Sequence, residues 1–243
     1  MKTALVTGSS RGIGKQMGID LLNKGYFVCF NGHTKESTEQ LEKELRNYPN
    51  CYNESNYSII CYDLSTVENS LEFARYLKAI NVKLDVIVWN VGLTDRTKFG
   101  EIKPDEWNKV FKANIDAPFF FLQSMKNNIN PGGKIILISS ILGIIPDSVS
   151  ISYGVSKAAI NMLVPYLSKE FADKKITVNA IAPGFIDTDW HKEKSKEQIK
   201  RIENKSLAKR LGTTEEISKT AMFIIDNVFV NAQIIKVDGG YGL

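Results

Sequence analysis

Cysteine is scarce in this chain of 243 residues: Cys29, Cys51 and Cys61 are all it has. An odd count, with no CxxC pair and no histidine at ligand spacing, argues against both a disulfide framework and a zinc site. Cys29 and Cys61 fall in strand-like runs and are expected to be small buried hydrophobes. Long apolar runs are missing too. The longest, Ile135 to Ile145, is broken by Ser139, Ser140 and Gly143 and is too short and too polar to span a bilayer. The first residues lack the apolar core of a secretion signal. A reduced, cytoplasmic setting without a membrane partner is the expectation. The net charge of +4 is modest, and no Lys/Arg block is dense enough to mark a nucleic-acid footprint. The richest basic stretch, His191 to Arg210, is interleaved with Glu193, Glu197 and Glu203 and reads as a solvated helical segment. No linker rich in Pro, Gly or Ser divides the chain, and no repeat is visible. One domain spanning residues 1–243 is expected.

The chain does carry a regular alternation. Strand-like runs fall at Thr3–Thr7, Phe27–Asn31, Tyr57–Cys61, Asp85–Trp89, Lys134–Ser139, Thr177–Ala182 and Gln233–Val237. They are short and mostly β-branched or aromatic, as strands buried on both faces are. Between them lie helical patterns at Ile13–Asn23, Lys35–Arg46, Thr66–Ile80, Asp105–Asn127, Tyr153–Asp173 and Thr214–Asp226. Ser65 to Glu68 reads as a capping box opening the third of these. Such alternation predicts an α/β fold: a single doubly wound (Rossmann) domain, a seven-stranded parallel sheet with helices on both faces. Ligands then bind beyond the carboxyl ends of the strands. The polar segment Phe185 to Arg210 interrupts the pattern just after Pro183-Gly184, at a strand's carboxyl end, and is expected to be a substrate lid.

Two motifs carry chemistry. Thr7-Gly8-Ser9-Ser10-Arg11-Gly12-Ile13-Gly14 follows the first strand and opens the first helix. Its glycines allow positive φ and close backbone approach, and the helix N-terminus attracts a pyrophosphate. The second motif is Tyr153-Gly-Val-Ser-Lys157. Residues four apart on a helix project from one face, so phenol and ammonium reach one site together. A neighbouring cation is expected to bring the phenol's pKa down toward neutrality. Alone, Tyr-x-x-x-Lys describes many surface helices. Beside a dinucleotide loop it points to hydride transfer to or from a carbonyl.

The glycine spacing, with the threonine before it, resembles the short-chain dehydrogenase/reductase family. The resemblance runs on through Asp63, Trp89-Asn90-Val91-Gly92 (where the family usually has Asn-Asn-Ala-Gly), Asn114, Ser140, Val178-Asn179-Ala180-Ile181-Ala182-Pro183-Gly184 and Val237-Asp238-Gly239-Gly240. It implies that Tyr153 is the acid in reduction or the base in oxidation. Lys157 would lower the Tyr153 pKa and hold the nicotinamide ribose, Ser140 would bind the substrate oxygen, and Asn114 would hold a water linking Lys157 to solvent. Ser139 is the adjacent competitor, expected as a strand residue to face the other way. The resemblance also implies a cofactor site built from Gly8, Ser10, Arg11, Gly12, Ile13, Gly14, Asp63, Leu64, Asn90, Gly92, Tyr153, Lys157, Pro183, Gly184, Ile186 and Thr188. Asp63 would accept from the adenine amino group; its bland alternative is an Asx turn. Asp187 and Asp189 read as helix-start carboxylates rather than catalytic acids.

Cofactor choice follows from charge. An NAD site wants a carboxylate at the end of the second strand for the ribose 2′-hydroxyl. Here Gly32 stands where it would be, with Arg11, His33 and Lys35 nearby. Cations without a carboxylate favour a 2′-phosphate, hence NADP(H). Arg11 and Lys35 as plain surface cations are the competing reading.

Within the family, Gly92-Leu93-Thr94-Asp95-Arg96 and Pro183 to Asp189 are most similar to 3-oxoacyl-[acyl-carrier-protein] reductases. These dock an acidic carrier through basic residues beside the site. Lys174 fills one such place here, while the other reads Asn130-Pro131-Gly132-Gly133, and Trp89 replaces a small polar residue at the cofactor floor. The reading is an NADPH-dependent reductase of a small-molecule or acyl-carrier-bound carbonyl. A dehydrogenase of a sugar or other secondary alcohol is an alternative, and an NADP(H)-sensing regulator is a non-enzyme one. The helix carrying Tyr153 is apolar around much of its girth, and the resemblance implies pairing across a homodimer or homotetramer interface. Pro165 inside it is expected to kink it beyond Asn161.

Overall fold

Runs of β-branched and aromatic residues become strands β1 Thr3–Val6, β2 Phe27–Gly32, β3 Tyr57–Cys61, β4 Leu84–Trp89, β5 Ile129–Ile138, β6 Thr177–Pro183 and β7 Ile234–Val237. The computed structural model describes residues 1–48, 53, 55–147 and 150–243. Cys51, weighed above as a disulfide or zinc partner, lies outside the described residues. The strands form one sheet in the order β3-β2-β1-β4-β5-β6-β7, and every adjacent pair is parallel. Strand order therefore reverses between β1 and β4. That reversal opens a crevice at their carboxyl ends, the place where doubly wound sheets hold ligands.

Helices α1 Gly12–Asn23, α2 Lys35–Arg46, α3 Val67–Ala79, α4 Pro104–Phe111, α5 Ala117–Met125, α6 Ile151–Glu170, α7 Lys196–Lys205 and α8 Thr214–Asp226 complete the described elements. Side chains alternate across a strand, and two cores result. Ala4, Val6, Val28, Phe30, Val88 and Ile136 meet α1, α2 and α8 through Met17, Leu21, Leu41, Leu45, Ile217 and Ile224. Leu5, Cys29, Ile87, Trp89, Ile135, Leu137 and Val178 meet α3, α5 and α6 through Phe73, Leu77, Phe121, Leu122, Ile160 and Val164. No helix among the described residues is long and apolar enough to cross a membrane, and none of their His, Cys, Asp and Glu side chains group as a metal site.

Several expectations need correction. The helix expected over Asp105–Asn127 is three elements: α4, a π-helical turn at Lys112–Asp116, and α5, followed by a 3-10 turn at Lys126–Asn128. Pro118 lies in the first turn of α5, which continues directly from the π turn. Strand β5 starts five residues early, because Ile129 pairs with Leu84 before the register shifts. The α3 cap is Thr66, which accepts from Asn69 N, rather than a box opened at Ser65. Cys61 is exposed, since β3 is an edge strand whose end reaches solvent. The Trp89 side chain lies in the core, its ring 5.1 Å from that of Phe121. Helix α6 starts at Ile151 and ends at Glu170, rather than spanning Tyr153–Asp173, with Pro165 inside it.

Candidate active site

The glycine loop is held from below by buried polar side chains. Thr7 Oγ1 accepts from the backbone N–H of Asn90 (3.0 Å) and of Val91 (3.4 Å), tying β1 to the residues after β4. Asn90 Nδ2 returns a bond to Gly8 O at 2.9 Å. Asn31, inside β2, accepts from Gly8 N through Oδ1 and donates through Nδ2 to Gly32 O, Ile60 O and Tyr62 O. Ser9 Oγ accepts from Asn31 N and donates to Val6 O. Gly8 and Gly12 have φ of +58° and +57°, where a side chain is strained. A Cβ on Gly14 would lie 2.5 Å from Gly8 O, so the loop packs directly on α1. Arg11 is the N-cap of α1 but offers no side-chain cap. The first-turn N–H groups thus stay available for an anion, and a pyrophosphate fits them.

The end of β2 is as crowded as its charge is sparse. A Cβ on Gly32 would meet Thr38 Cγ2 at 2.7 Å, Ser37 Oγ at 3.0 Å and Ser10 Cβ at 3.4 Å. A carboxylate has no room there. His33 is exposed, and Lys35 starts α2. Arg11 is 70% exposed at its side chain and lies 3.6 Å from Asp189. Asp63 is exposed and its Oδ1 accepts from Ser65 N, the Asx turn weighed above, with Leu64 buried beside it.

Across the crevice, helix α6 and the end of β5 bring the other residues together. Ser140 hydrogen-bonds the Tyr153 side chain, and its Oγ also accepts from Leu142 N. Lys157 is buried; its Nζ donates to Ile138 O at 2.7 Å and lies 5.5 Å from the centre of the Tyr153 ring. A Cβ on Gly92 would lie 3.3 Å from both Lys157 Nζ and Asn114 Oδ1, so Asn114, Lys157 and the post-β4 loop converge. Asn114 accepts from Leu93 N (2.7 Å) and donates to Leu93 O (2.9 Å) and to Ser156 Oγ (2.8 Å). Its side chain is committed to positioning; a water would have to use its main chain, within the widened π turn.

The electrostatics differ from the sequence expectation. Burial pushes the Tyr153 phenol up to about 12, opposed by the Ser140 hydrogen bond. Burial also pulls Lys157 down to about 8. The ammonium donates to a carbonyl rather than to the phenol, so desolvation wins over the cation. Ser139 also departs from expectation. Its Oγ contacts Lys157 O (3.1 Å) and Asn161 Oδ1 (2.6 Å), so both serines face α6.

Comparison with known proteins agrees with this geometry. The family model of the short chain dehydrogenases matches residues 2–199. The chain belongs to that family. It is 30% identical to the 3-oxoacyl-[acyl-carrier-protein] reductase of Buchnera aphidicola subsp. Schizaphis graminum, over 98% of this chain and 96% of that protein. It is also 30% identical to the tetrahydroxynaphthalene reductase of Pyricularia oryzae, over 98% of this chain and 89% of that protein. The NADP-bound structure of ElxO superposes with a TM-score of 0.86 at 30% identity, covering 99% of this chain and 98% of that one.

In this short-chain dehydrogenase the segment after β6 crosses the mouth of the crevice. Pro183 is buried, and a Cβ on Gly184 would lie 2.7 Å from Asp238 Cα. Ile186 bridges to Gly212, and a Cβ on Gly12 would lie 3.6 Å from Thr188 Cγ2, bringing this segment onto the glycine loop. The Trp190 ring lies 6.0 Å from that of Tyr153 and stays 44% exposed. Arg96 reaches Trp190 O and Glu193. Lys174, by contrast, precedes β6 and donates to Lys126 O and Asn127 Oδ1. It sits at the sheet end opposite Ser140, which rules it out as a neighbour of the site within one subunit. Asn31, Ser156, Trp190 and Asn161 were missed in the sequence. Only a polar residue inside the apolar β2 run signalled Asn31.

Proposed function

We propose that this chain reduces a carbonyl to a secondary alcohol with NADPH, and that Tyr153 delivers the proton. The Tyr153 phenol, hydrogen-bonded by Ser140 beside the buried Lys157, carries the reading. The bound dinucleotide supplies the hydride. Ser140 donates to the carbonyl oxygen and places it within reach of Tyr153. As the carbonyl carbon is reduced, its oxygen becomes a far stronger base than a phenolate, so transfer from Tyr153 runs downhill even from a phenol near 12. Oxidation would require the buried phenol to ionise first, which burial opposes.

The NADP(H) preference rests on Ser10, Arg11, His33 and Lys35 around a Gly32 with no space for a carboxylate. Gly8, Gly12, Ile13 and Gly14 would cradle the pyrophosphate. Asp63 and Leu64 would flank the adenine, and Asn90 and Gly92 the ribose beside Lys157. Pro183, Gly184, Ile186 and Thr188 would face the nicotinamide. Asn114, through its main chain, would lead Lys157 to water. Residues 1–243 would act as one domain, with 185–210 as its lid. The substrate is a 3-oxoacyl thioester or similar ketone. Trp190 beside Tyr153 favours a second reading, a flat cyclic ketone, and the tetrahydroxynaphthalene reductase relative supports it. Val155, Met162 and Tyr166 expose apolar surface on α6, with Phe120 on α5, and a second copy of the chain would cover them in a homodimer or homotetramer.

The test is NADPH and NADH oxidation against β-ketoacyl thioesters, cyclic aryl ketones, keto-sugars and simple ketones. Turnover should prefer NADPH, and Tyr153→Phe should lower kcat about 10³-fold. A Tyr153→Phe enzyme as fast as its parent would refute the proton-donor role.

A further inference from the structure

One carboxylate outside the catalytic group joins three distant segments. Asp147 lies in the loop between Ser140 and Tyr153. It accepts two bonds from Lys205 Nζ, at 2.8 Å to each carboxylate oxygen. Its Oδ2 also accepts from the Tyr241 hydroxyl at 2.6 Å. Lys205 is the last residue of α7, and Tyr241 follows the glycine pair after β7. These separations, 58 residues to Lys205 and 94 to Tyr241, exclude local turn chemistry as the cause.

Neighbouring contacts converge on the same junction. Gly242 N donates to Lys205 O, and a Cβ on Gly242 would lie 2.8 Å from Ile145 Cδ1. Ser206 Oγ donates to Gly239 O. The Tyr241 ring packs 4.8 Å from Phe185, at the start of the proposed lid. Tyr241 is nearly fully buried, so its hydroxyl needs the Asp147 acceptor. Helix α7 itself has no buried residue. Its hold on the rest of the chain comes largely through its ends, and this junction is one of them.

We propose that Asp147 is a positioning residue that clasps the end of α7 and Tyr241 to the Ser140–Tyr153 loop, setting the closed geometry of the substrate pocket. The proposal rests on the reductase reading for its effect on substrate. The clasp itself is independent of that reading. Asp147 touches none of the catalytic side chains described above. It acts by fixing the loop and the lid relative to one another, and so governs long or bulky substrates that must lie between them.

Hydrogen exchange and steady-state kinetics on the full chain carrying Asp147→Asn, Tyr241→Phe or Lys205→Met would test it. The half-exposed Lys205 makes its variant safe for folding. Amides of residues 196–207 should exchange about tenfold faster in Asp147→Asn, in line with the loss of a charge-assisted bond. KM for a long 3-oxoacyl thioester should rise about tenfold, kcat should change less than KM, and the NADPH dissociation constant should hold. Unchanged exchange in folded Asp147→Asn and Lys205→Met would overturn the clasp. Faster exchange with an unchanged KM would overturn its positioning role. A parent that reduces no carbonyl would instead remove the reductase reading, and exchange would still decide the clasp.

Discussion

The glycine loop and the 185–210 segment both border the crevice, yet they are held by different physics. The loop is tied by Thr7, Ser9, Asn31 and Asn90 through largely buried bonds to backbone groups. Apart from the Asp147 junction, the side-chain ties of the other segment include Arg96–Glu193 and Arg11–Asp189, ion pairs whose side chains remain partly or largely exposed. Buried bonds are costly to break, because each leaves an unsatisfied group behind. Exposed ion pairs are worth little and exchange readily with water. The difference is one of stiffness: the loop rests on bonds that are costly to lose, and the 185–210 segment on ion pairs that exchange with water.

The sharpest way to break this comparison is to empty the cradle. Asn31→Ala removes the side-chain bonds to Gly8 N and to the carbonyls of Gly32, Ile60 and Tyr62, of which Gly32 O keeps the Tyr62 N–H. It should lower stability by about 3 kcal/mol in urea unfolding. A loss below about 1 kcal/mol would mean the loop is not held from beneath.

Lys157 offers a second, pH-resolved measure of how much stability the site gives up. Its ammonium titrates near its ordinary 10.5 in the unfolded chain and near 8 in the folded one. Between those values the unfolded chain holds the extra proton, so this group destabilises fully below pH 8 and is relieved as pH rises to 10.5. Tyr153 acts in the other sense, its folded state losing ground as pH climbs from 10 toward 12. Lys157→Met should therefore be more stable than the parent below pH 8, with the gap closing by pH 10.5. A gap constant across that window would contradict the burial argument. The smallest effect belongs to the 185–210 segment: Arg96→Ala should cost under about 1 kcal/mol of stability, and added salt should shrink the difference further.

Much of this was legible in the sequence because it is local or periodic. Runs such as Ala4-Leu5-Val6 announce strands buried on both faces, and the glycine spacing and Tyr153–Lys157 step fix where chemistry sits on them. What escaped depends on residues far apart in the chain. Nothing near Asn31 reveals that its amide will reach Tyr62 O across β3. Nothing near Asp147 reveals Tyr241. The phenol's pKa escaped for a related reason: the motif shows the ammonium four residues away, but not the Ile138 carbonyl that accepts its hydrogen bond or the depth of burial. Cys61 misled because an edge strand carries the same residue types as a central one.

The Ser139 contact fixes α6 where the helix carries the chemistry. Ser139 grips the helix at Lys157 O and at the Asn161 side chain, and Asn161 Nδ2 holds Gly143 O. Pro165 removes a rung only beyond that grip, at the carbonyl of Asn161. The distal half of α6 exposes Met162 and Tyr166, while buried Val164, Leu167 and Ser168 seat it on the sheet, Ser168 Oγ donating to Val178 O. The rung that Pro165 removes thus falls past the turn that aims the phenol and the ammonium.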